Sequence, residues 1–448
     1  MKDLIQTLRN IFSIPELRER ILMTLGLVAV YRLGSYVVLP GIDSVQLAAQ
    51  NNAASGTVLD ILVNFTGGAF SRASIFALGI MPYISASIIV QLLGIAVPYF
   101  QKLQKEGESG RNKLNQITRL LTVGITAFQA PGYLASQVPL SARPDTPLWW
   151  VTSVVLLVAG TIFVMWLGER ITDRGIGNGI SLIIMIGIIA NFPSALIVEF
   201  GSKMEPDGGG LILFLVEMLL LLAVIMVSIL LVQGTRRIPI QFAKRVVGNR
   251  QMGGVRQYLP LKVNASGVMP IIFAQAIMFI PIYLVGFATD GSTTWFTRNF
   301  SDYTSFWYNL TFAVMIVLFT YFYTAIAVNP TQIAEDLKRN GGFIPGIKPG
   351  KKTAEYIDNV MSRITLPGSL FLAFVAILPA LAKLGNINDA FAYFYGGTSL
   401  LIMVGVVLDT LQQIESHLLM RQYDGLMKSG RIKGRTAGVG MATPATGY

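Results

Sequence analysis

The amino-acid sequence predicts an all-α polytopic membrane protein with ten transmembrane helices in two inverted five-helix halves. Three observations carry that expectation. The 448-residue chain is 53% hydrophobic and 13% charged, with a mean hydropathy of +0.58, whereas a soluble domain is nearer a quarter charged. Its apolar residues gather in continuous runs of about 20, enough to cross a bilayer as a helix, and not in the alternating runs of a membrane β-barrel. Two pairs of runs also echo each other. Residues 179–189 (Gly-Ile-Ser-Leu-Ile-Ile-Met-Ile-Gly-Ile-Ile) match 397–407 (Gly-Thr-Ser-Leu-Leu-Ile-Met-Val-Gly-Val-Val), and 79–84 (Gly-Ile-Met-Pro-Tyr-Ile) match 267–272 (Gly-Val-Met-Pro-Ile-Ile).

In chain order the predicted spans are 21–40, 74–96, 116–135, 148–168, 179–198, 210–232, 266–288, 306–328, 366–384 and 391–412. The echoes then pair span 5 with span 10 and span 2 with span 7. An odd number of crossings per half turns the second half upside down, and such repeats place their working site at the bilayer midplane. The expected division is an amphipathic segment 1–20, an N-terminal half 21–200, a C-terminal half 201–412, and a tail 413–448 with a disordered end. The first apolar run continues as a full span, so no cleavable signal is expected.

Charge orients these spans. The net charge is +11, and most of the 35 Lys and Arg fall in 1–20, in the 2–3, 4–5, 6–7 and 8–9 loops, and in the tail. With an even number of spans all of these lie on one side, and the positive-inside rule makes that side cytoplasmic.

The second span is too long for one crossing and is interrupted. Asn64, Thr66, Gly67, Gly68, Ser71 and Arg72 break the apolar run 56–96. The glycines fray a helix and the arginine is unwelcome in lipid. The expected parse is a short piece, about 57–70, then a span from 74. Irregular backbone at membrane depth persists only when buried in protein or lining a cavity, so the piece is expected to fold back into the bundle. The alternative is an interfacial helix lying on the outer leaflet.

The chemistry that is missing narrows the function. There is no cysteine and a single histidine, His417, so no metal-ligand set is expected, and no HExxH helix is present. Gly346-Ile-Lys-Pro-Gly-Lys-Lys-Thr353 lacks the spacing of a phosphate loop. Among the acidic residues only Glu217 and Asp409 fall inside spans, and each reads as a snorkelled or helix-end carboxylate before a proton relay. No catalytic residue and no cofactor is expected. An inverted-repeat secondary transporter is the rival class, and a pore-less insertase-like scaffold a second.

Isoleucines stand where polar site residues would be: Ile80, Ile84, Ile180, Ile184, Ile272 and Ile402. The repeat superimposes Ile84 on Ile272 and Ile184 on Ile402. Converging at a midplane axis, they would form a constriction that excludes ions by dewetting; otherwise they face lipid or core. The loops are the other unusual feature. Loop 233–265 carries Arg236, Arg237, Lys244, Arg245, Arg250, Arg256 and Lys262 with no acid, and loop 330–365 carries Phe343-Ile-Pro-Gly-Ile-Lys-Pro-Gly350. Such loops suit an acidic protein groove, anionic lipid or RNA phosphate, or simply set orientation.

Five strings now stand out: 70–89 (Phe-Ser-Arg-Ala-Ser-Ile-Phe-Ala-Leu-Gly-Ile-Met-Pro-Tyr-Ile-Ser-Ala-Ser-Ile-Ile), 105–111 (Lys-Glu-Gly-Glu-Ser-Gly-Arg), 175–181 (Gly-Ile-Gly-Asn-Gly-Ile-Ser), 259–264 (Leu-Pro-Leu-Lys-Val-Asn) and 395–401 (Tyr-Gly-Gly-Thr-Ser-Leu-Leu). On these the chain resembles, from about residue 20 to 430, the SecY family of protein-translocation channel subunits. The resemblance implies an hourglass pore between the halves, driven from outside, that passes unfolded secretory polypeptides and releases membrane segments laterally. It implies that the six isoleucines form the pore ring, and that the plug falls on 57–70, with Leu59, Ile61, Leu62, Phe65, Gly67 and Gly68. It further implies a lateral gate between spans 2 and 3 and spans 7 and 8, with Ser85, Gln91, Asn264 and Ile280 along it.

The implied partners are small SecE and SecG subunits, the SecA motor ATPase, the ribosome, signal-sequence-bearing polypeptides and anionic membrane lipids. Accessories of the SecDF and insertase type belong to the same expectation. Arg236, Arg237, Lys244, Arg245, Arg250 and Lys348 are the expected contacts for motor or ribosome. The implied place is a bacterial cytoplasmic (inner) membrane, with both termini cytoplasmic. One departure stands out: the family usually has Arg where this chain has Lys348, which keeps the charge but loses the planar fork.

Overall fold

The computed structural model describes residues 14–51, 59–144, 146–205, 209–242, 245–247, 250–252, 256–287, 299–300, 302–385 and 387–428. Each of the ten predicted spans carries a helix, and helix starts follow the sequence's own punctuation. Proline occupies the first turn of α1 (Pro15–Gly34) and α7 (Pro147–Arg174), where its missing N–H costs nothing. The remaining helices of the first half are α2 (Ser44–Asn51), α3 (Leu59–Phe65), α4 (Met81–Ala96), α5 (Pro98–Lys105), α6 (Glu108–Gln137) and α8 (Gly179–Met204). The second half holds α9 (Gly210–Gln233), α10 (Met269–Phe287), α11 (Phe306–Ala327), α12 (Pro330–Arg339), α13 (Lys351–Leu384), α14 (Asp389–Ala392) and α15 (Gly397–Lys428). Among the described residues, six helices are long and apolar enough to cross a membrane, and α4 with α5, bent by 99° at Val97, makes a seventh, broken span.

The internal repeat is visible in the backbone. Helix α4 starts at Met81 after Gly79 (φ +54°), and α10 starts at Met269 after Gly267 (φ +64°). Both turns need the left-handed conformation that glycine adopts without strain, and a proline follows in the first helical turn. The second echo behaves alike: α8 begins at Gly179 and α15 at Gly397. The Asn178 side chain caps α8, accepting from the N–H of Ile180 at 3.1 Å and of Ser181 at 3.4 Å.

The halves meet along two lines. On one side α8 packs against α9, α14 and α15; on the other α10 packs against α4 and α6. One core of buried apolar side chains runs through both halves, from Tyr31 to Val406.

Three expectations change in detail. The second span begins at Met81, not 74: residues 66–80 form a buried run of turns, with φ positive at Gly67, Gly68, Ala73 and Gly79, which helical backbone cannot accommodate. The first span ends early, at Gly34, because residues beyond it pair with that run; Leu39 N–H donates to the Ala73 carbonyl and Ile75 N–H to Val37, each at 2.9 Å. The last helix runs past 412 to Lys428, carrying His417 exposed on its surface, while 429–448 lie outside the described residues.

The 6–7 and 8–9 loops fold into a unit of their own. Strand β1 (Thr235–Phe242) pairs antiparallel with β4 (Arg256–Lys262), Ile238 opposite Leu259, and with β5 (Gly342–Phe343), Gln241 opposite Phe343. Between them β2 (Arg245–Val247) pairs with β3 (Arg250–Met252). Ile238, Leu261, Ile344, Ile357 and Met361 close a small second core beneath the sheet, so the 6–7 and 8–9 loops are one body.

Candidate functional site: an apolar void between the halves

Ile84 of α4, Ile184 of α8, Ile272 of α10 and Ile402 of α15 line one narrow void together with Met81, Gln275 and Phe65. These four are the two pairs that the repeat superimposes, and every one is buried. The void holds about 10 Å³, at the threshold for a single water. Gln275, 1% exposed, is the one hydrogen-bonding side chain on its wall apart from the Met81 thioether. Ile80 and Ile180 are not on that wall. Both lie over Gly168 of α7, where a built Cβ would stand 3.5 Å from Ile80 and 3.2 Å from Ile180.

Phe65 belongs to α3, which caps the void. Leu62 and Phe65 are buried, whereas the side chains of Leu59 and Ile61 lie outside the described residues. The helix sits against α8 at backbone contact: a Cβ on Gly187 would fall 2.3 Å from the Phe65 carbonyl oxygen. Asn191 of α8 donates its amide to the Val63 carbonyl at 3.4 Å and to Asn64 Oδ1 at 3.3 Å. The Gly67 carbonyl accepts from Arg32 at 3.3 Å and from Arg72 at 2.7 Å. The Arg72 guanidinium also lies over the Tyr36 ring at 4.3 Å, so the arginine that looked out of place in lipid is held inside protein. Helix α3 and the residues after it thus pack against α1 and α8.

A seam runs where α10 meets α4 and α6. Of the residues expected at a lateral gate, Ser85 donates to the Met81 carbonyl of its own helix at 3.2 Å, and Gln91 to Ser87 at 3.2 Å. Asn264 is buried, accepting from Ser266 at 3.2 Å. Ile280 lies on α10, its side chain outside the described ones.

On the sheet formed by the 6–7 and 8–9 loops, Arg236, Arg237 and Lys348 are exposed. Lys348 rides on a tip whose Ile344 is buried in the small core and whose Lys348 carbonyl accepts from Thr353 at 3.0 Å. Lys244 lies outside the described residues, as do the side chains of Arg245 and Arg250.

One charged site was misread from sequence. Glu217 is buried rather than snorkelled, with Lys203 Nζ at 2.8 Å from its carboxylate and 3.4 Å from Glu199. Glu199 also accepts from the Asn388 backbone N–H at 2.9 Å. The cluster ties α8 to α9 and to the turn before α14. Glu199 and Lys203 fall just past the predicted end of span 5, and their i, i+4 spacing was the available signal. Asp409 is exposed on α15.

The SecY family profile matches residues 74–411. The protein translocase subunit SecY of Streptomyces scabiei is 43% identical over 435 residues, covering 93% of this chain and 98% of that protein. Two solved channels share the fold. One is the SecY protein whose plug domain stabilises the closed state of the translocation channel and maintains a membrane seal (TM-score 0.61, 17% identity, 89% of this chain and 92% of that one). The other is the idle yeast Ssh1 complex bound to the yeast 80S ribosome (TM-score 0.61, 14% identity, 88% and 89%). With family match and near full-length relatives in agreement, this chain belongs to the SecY family, the channel subunits of the protein translocase.

Proposed function

We propose that the void between α4, α8, α10 and α15 is the closed constriction through which this channel subunit passes unfolded polypeptide. The observation that carries this is the convergence of Ile84, Ile184, Ile272 and Ile402, two from each half, on one void with Phe65 over it. Branched apolar side chains exclude hydrated ions by dewetting, and because they are held by packing alone they can spread around a chain. Ile80 and Ile180 complete the ring as it widens. Residues 57–70 are the plug, and the α10 seam is the lateral gate, with Ser85, Gln91, Asn264 and Ile280 along it. Residues 21–200 and 201–412 move as its two halves.

No work-producing site is assigned to the chain itself, so work comes from partners on the cytoplasmic sheet. The ribosome, and the SecA motor, dock on Arg236, Arg237, Lys244, Arg245, Arg250 and Lys348. SecE and SecG complete the complex in a bacterial inner membrane, with both termini in the cytoplasm and anionic lipid around the basic loops. The test is single-channel recording on the reconstituted complex. Ile84→Ser and Ile402→Ser should wet the constriction and raise resting ion leak; unchanged leak in both would remove the ring assignment.

A further inference from the structure

Gln275 lines two cavities at once. One is the isoleucine void; the other is a chamber inside the C-terminal half, walled by α10, α11, α13 and the start of α15. The chamber holds about 30 Å³, room for two waters at about 10–15 Å³ each. Its wall includes Tyr303, Tyr308, Thr398 and Ser399, all buried, and hydroxyls of this kind are the partners an ordered water needs. Gln275 sits three residues after Ile272, on the same face of α10. Its Nε2 donates to the Tyr308 hydroxyl at 3.5 Å, at the long limit of a hydrogen bond. A carboxamide can donate twice and accept twice.

We propose that Gln275 is a wetting residue: it links a hydrated chamber to the dry constriction and offers the first hydrogen bond to water when the isoleucines part. This rests on the ring reading above. Helix α10 packs across the seam, so moving α10 away from α4 and α6 carries Ile272 and Gln275 together. Water entering the widened void then meets one polar group already in contact with the chamber, and the opening does not have to be wetted against an all-apolar wall. The residue positions water and touches no partner, so its removal should change how often the pore wets and leave the seal's composition intact.

The experiment records single channels from the full-length chain in its reconstituted complex. Gln275→Leu removes the amide at similar volume and should reduce resting openings about fivefold, equivalent to roughly 1 kcal/mol, the worth of one neutral hydrogen bond. Gln275→Met keeps the length and serves if the leucine variant does not accumulate; it should behave like leucine. Hydroxyl-radical labelling of Met81, on the void wall, should fall in both variants when signal peptide opens the channel. Parent-like opening frequency in either variant overturns the proposal, because in the methionine case packing, not hydrogen bonding, would be the cause. Ile84→Ser in the same recordings separates the two ideas. If it raises leak while Gln275→Leu changes nothing, the ring stands and the wetting residue falls; if Ile84→Ser changes nothing, the ring itself fails.

Discussion

Gly187→Ala should unseat α3, the proposed plug, while leaving the four isoleucines of the constriction unaltered. The added Cβ would lie 2.3 Å from the Phe65 oxygen, 3.1 Å from the Phe65 carbonyl carbon and 3.2 Å from the Gly67 nitrogen. All three are backbone atoms and cannot rotate aside, so the end of α3 must retreat by about 1 Å to regain ordinary contact. That retreat lengthens bonds with little slack: Arg32 to the Gly67 carbonyl at 3.3 Å and Asn191 to the Val63 carbonyl at 3.4 Å. Overpacking of this kind costs about 1–3 kcal/mol, and each weakened bond adds up to ~1 kcal/mol. A shift of about 2 kcal/mol moves the seated-to-unseated ratio of the plug roughly 30-fold. The assay is resting conductance in planar bilayers at matched channel content. Gly201, on the same helix with nothing within 4 Å of its Cβ position, supplies the control. Equal leak from Gly187→Ala and Gly201→Ala would refute the reasoning, since it would mean the plug does not bear on α8 as its backbone contact requires.

Two further outcomes follow from the charged groups. Lys203→Met leaves the Glu199 and Glu217 carboxylates buried without their cation, which should cost about 3–5 kcal/mol and appear as a clear drop in thermal stability in detergent; an unchanged melting temperature would show the cluster to be hydrated. Lys348→Glu reverses an exposed cation on a rigid tip, so stability should change by less than about 0.5 kcal/mol while SecA-driven import into vesicles falls sharply. Lys348→Arg should match or exceed the parent, because the planar fork can pair bidentately, and full transport by Lys348→Glu would exclude the tip as a motor contact.

The helices were legible because a bilayer demands long apolar runs, and the inverted repeat was legible because Gly-x-Met-Pro and Gly-x-Ser-Leu each mark a helix start in both halves. The pairing of Ile84 with Ile272 and of Ile184 with Ile402 came from that register alone, and all four side chains share one void. What was not legible depended on contacts between distant segments. Residues 74–80 read as the start of a span because apolar composition does not reveal that Val37 and Leu39 would supply hydrogen bonds to a turn-rich chain. Glu217 read as a snorkelled or helix-end carboxylate because its partner, Lys203, lies on another helix. The sheet of the 6–7 and 8–9 loops did leave a signal: Ile238, Ile240 and Phe242 alternate with polar or proline positions, the period of a half-buried strand. Its pairing with Gly342 and Phe343 joins loops about 100 residues apart, a closure that no local pattern encodes.

The central claim is that polypeptide passes between the four isoleucines, and the sequence allows a direct test because it contains no cysteine. A single cysteine replaces Ile84, Ile184, Ile272 or Ile402 in turn, and a secretory polypeptide carrying one cysteine is stalled part-way through the reconstituted complex. Disulfide formation requires Cα atoms within about 4.4–6.8 Å, so it reports contact and not proximity. Leu219 on α9, 72% exposed on the apolar outer surface, is the lipid-facing comparison. The account predicts cross-links from all four isoleucine positions and none from Leu219→Cys; cross-linking at Leu219 with silence at the four would contradict it.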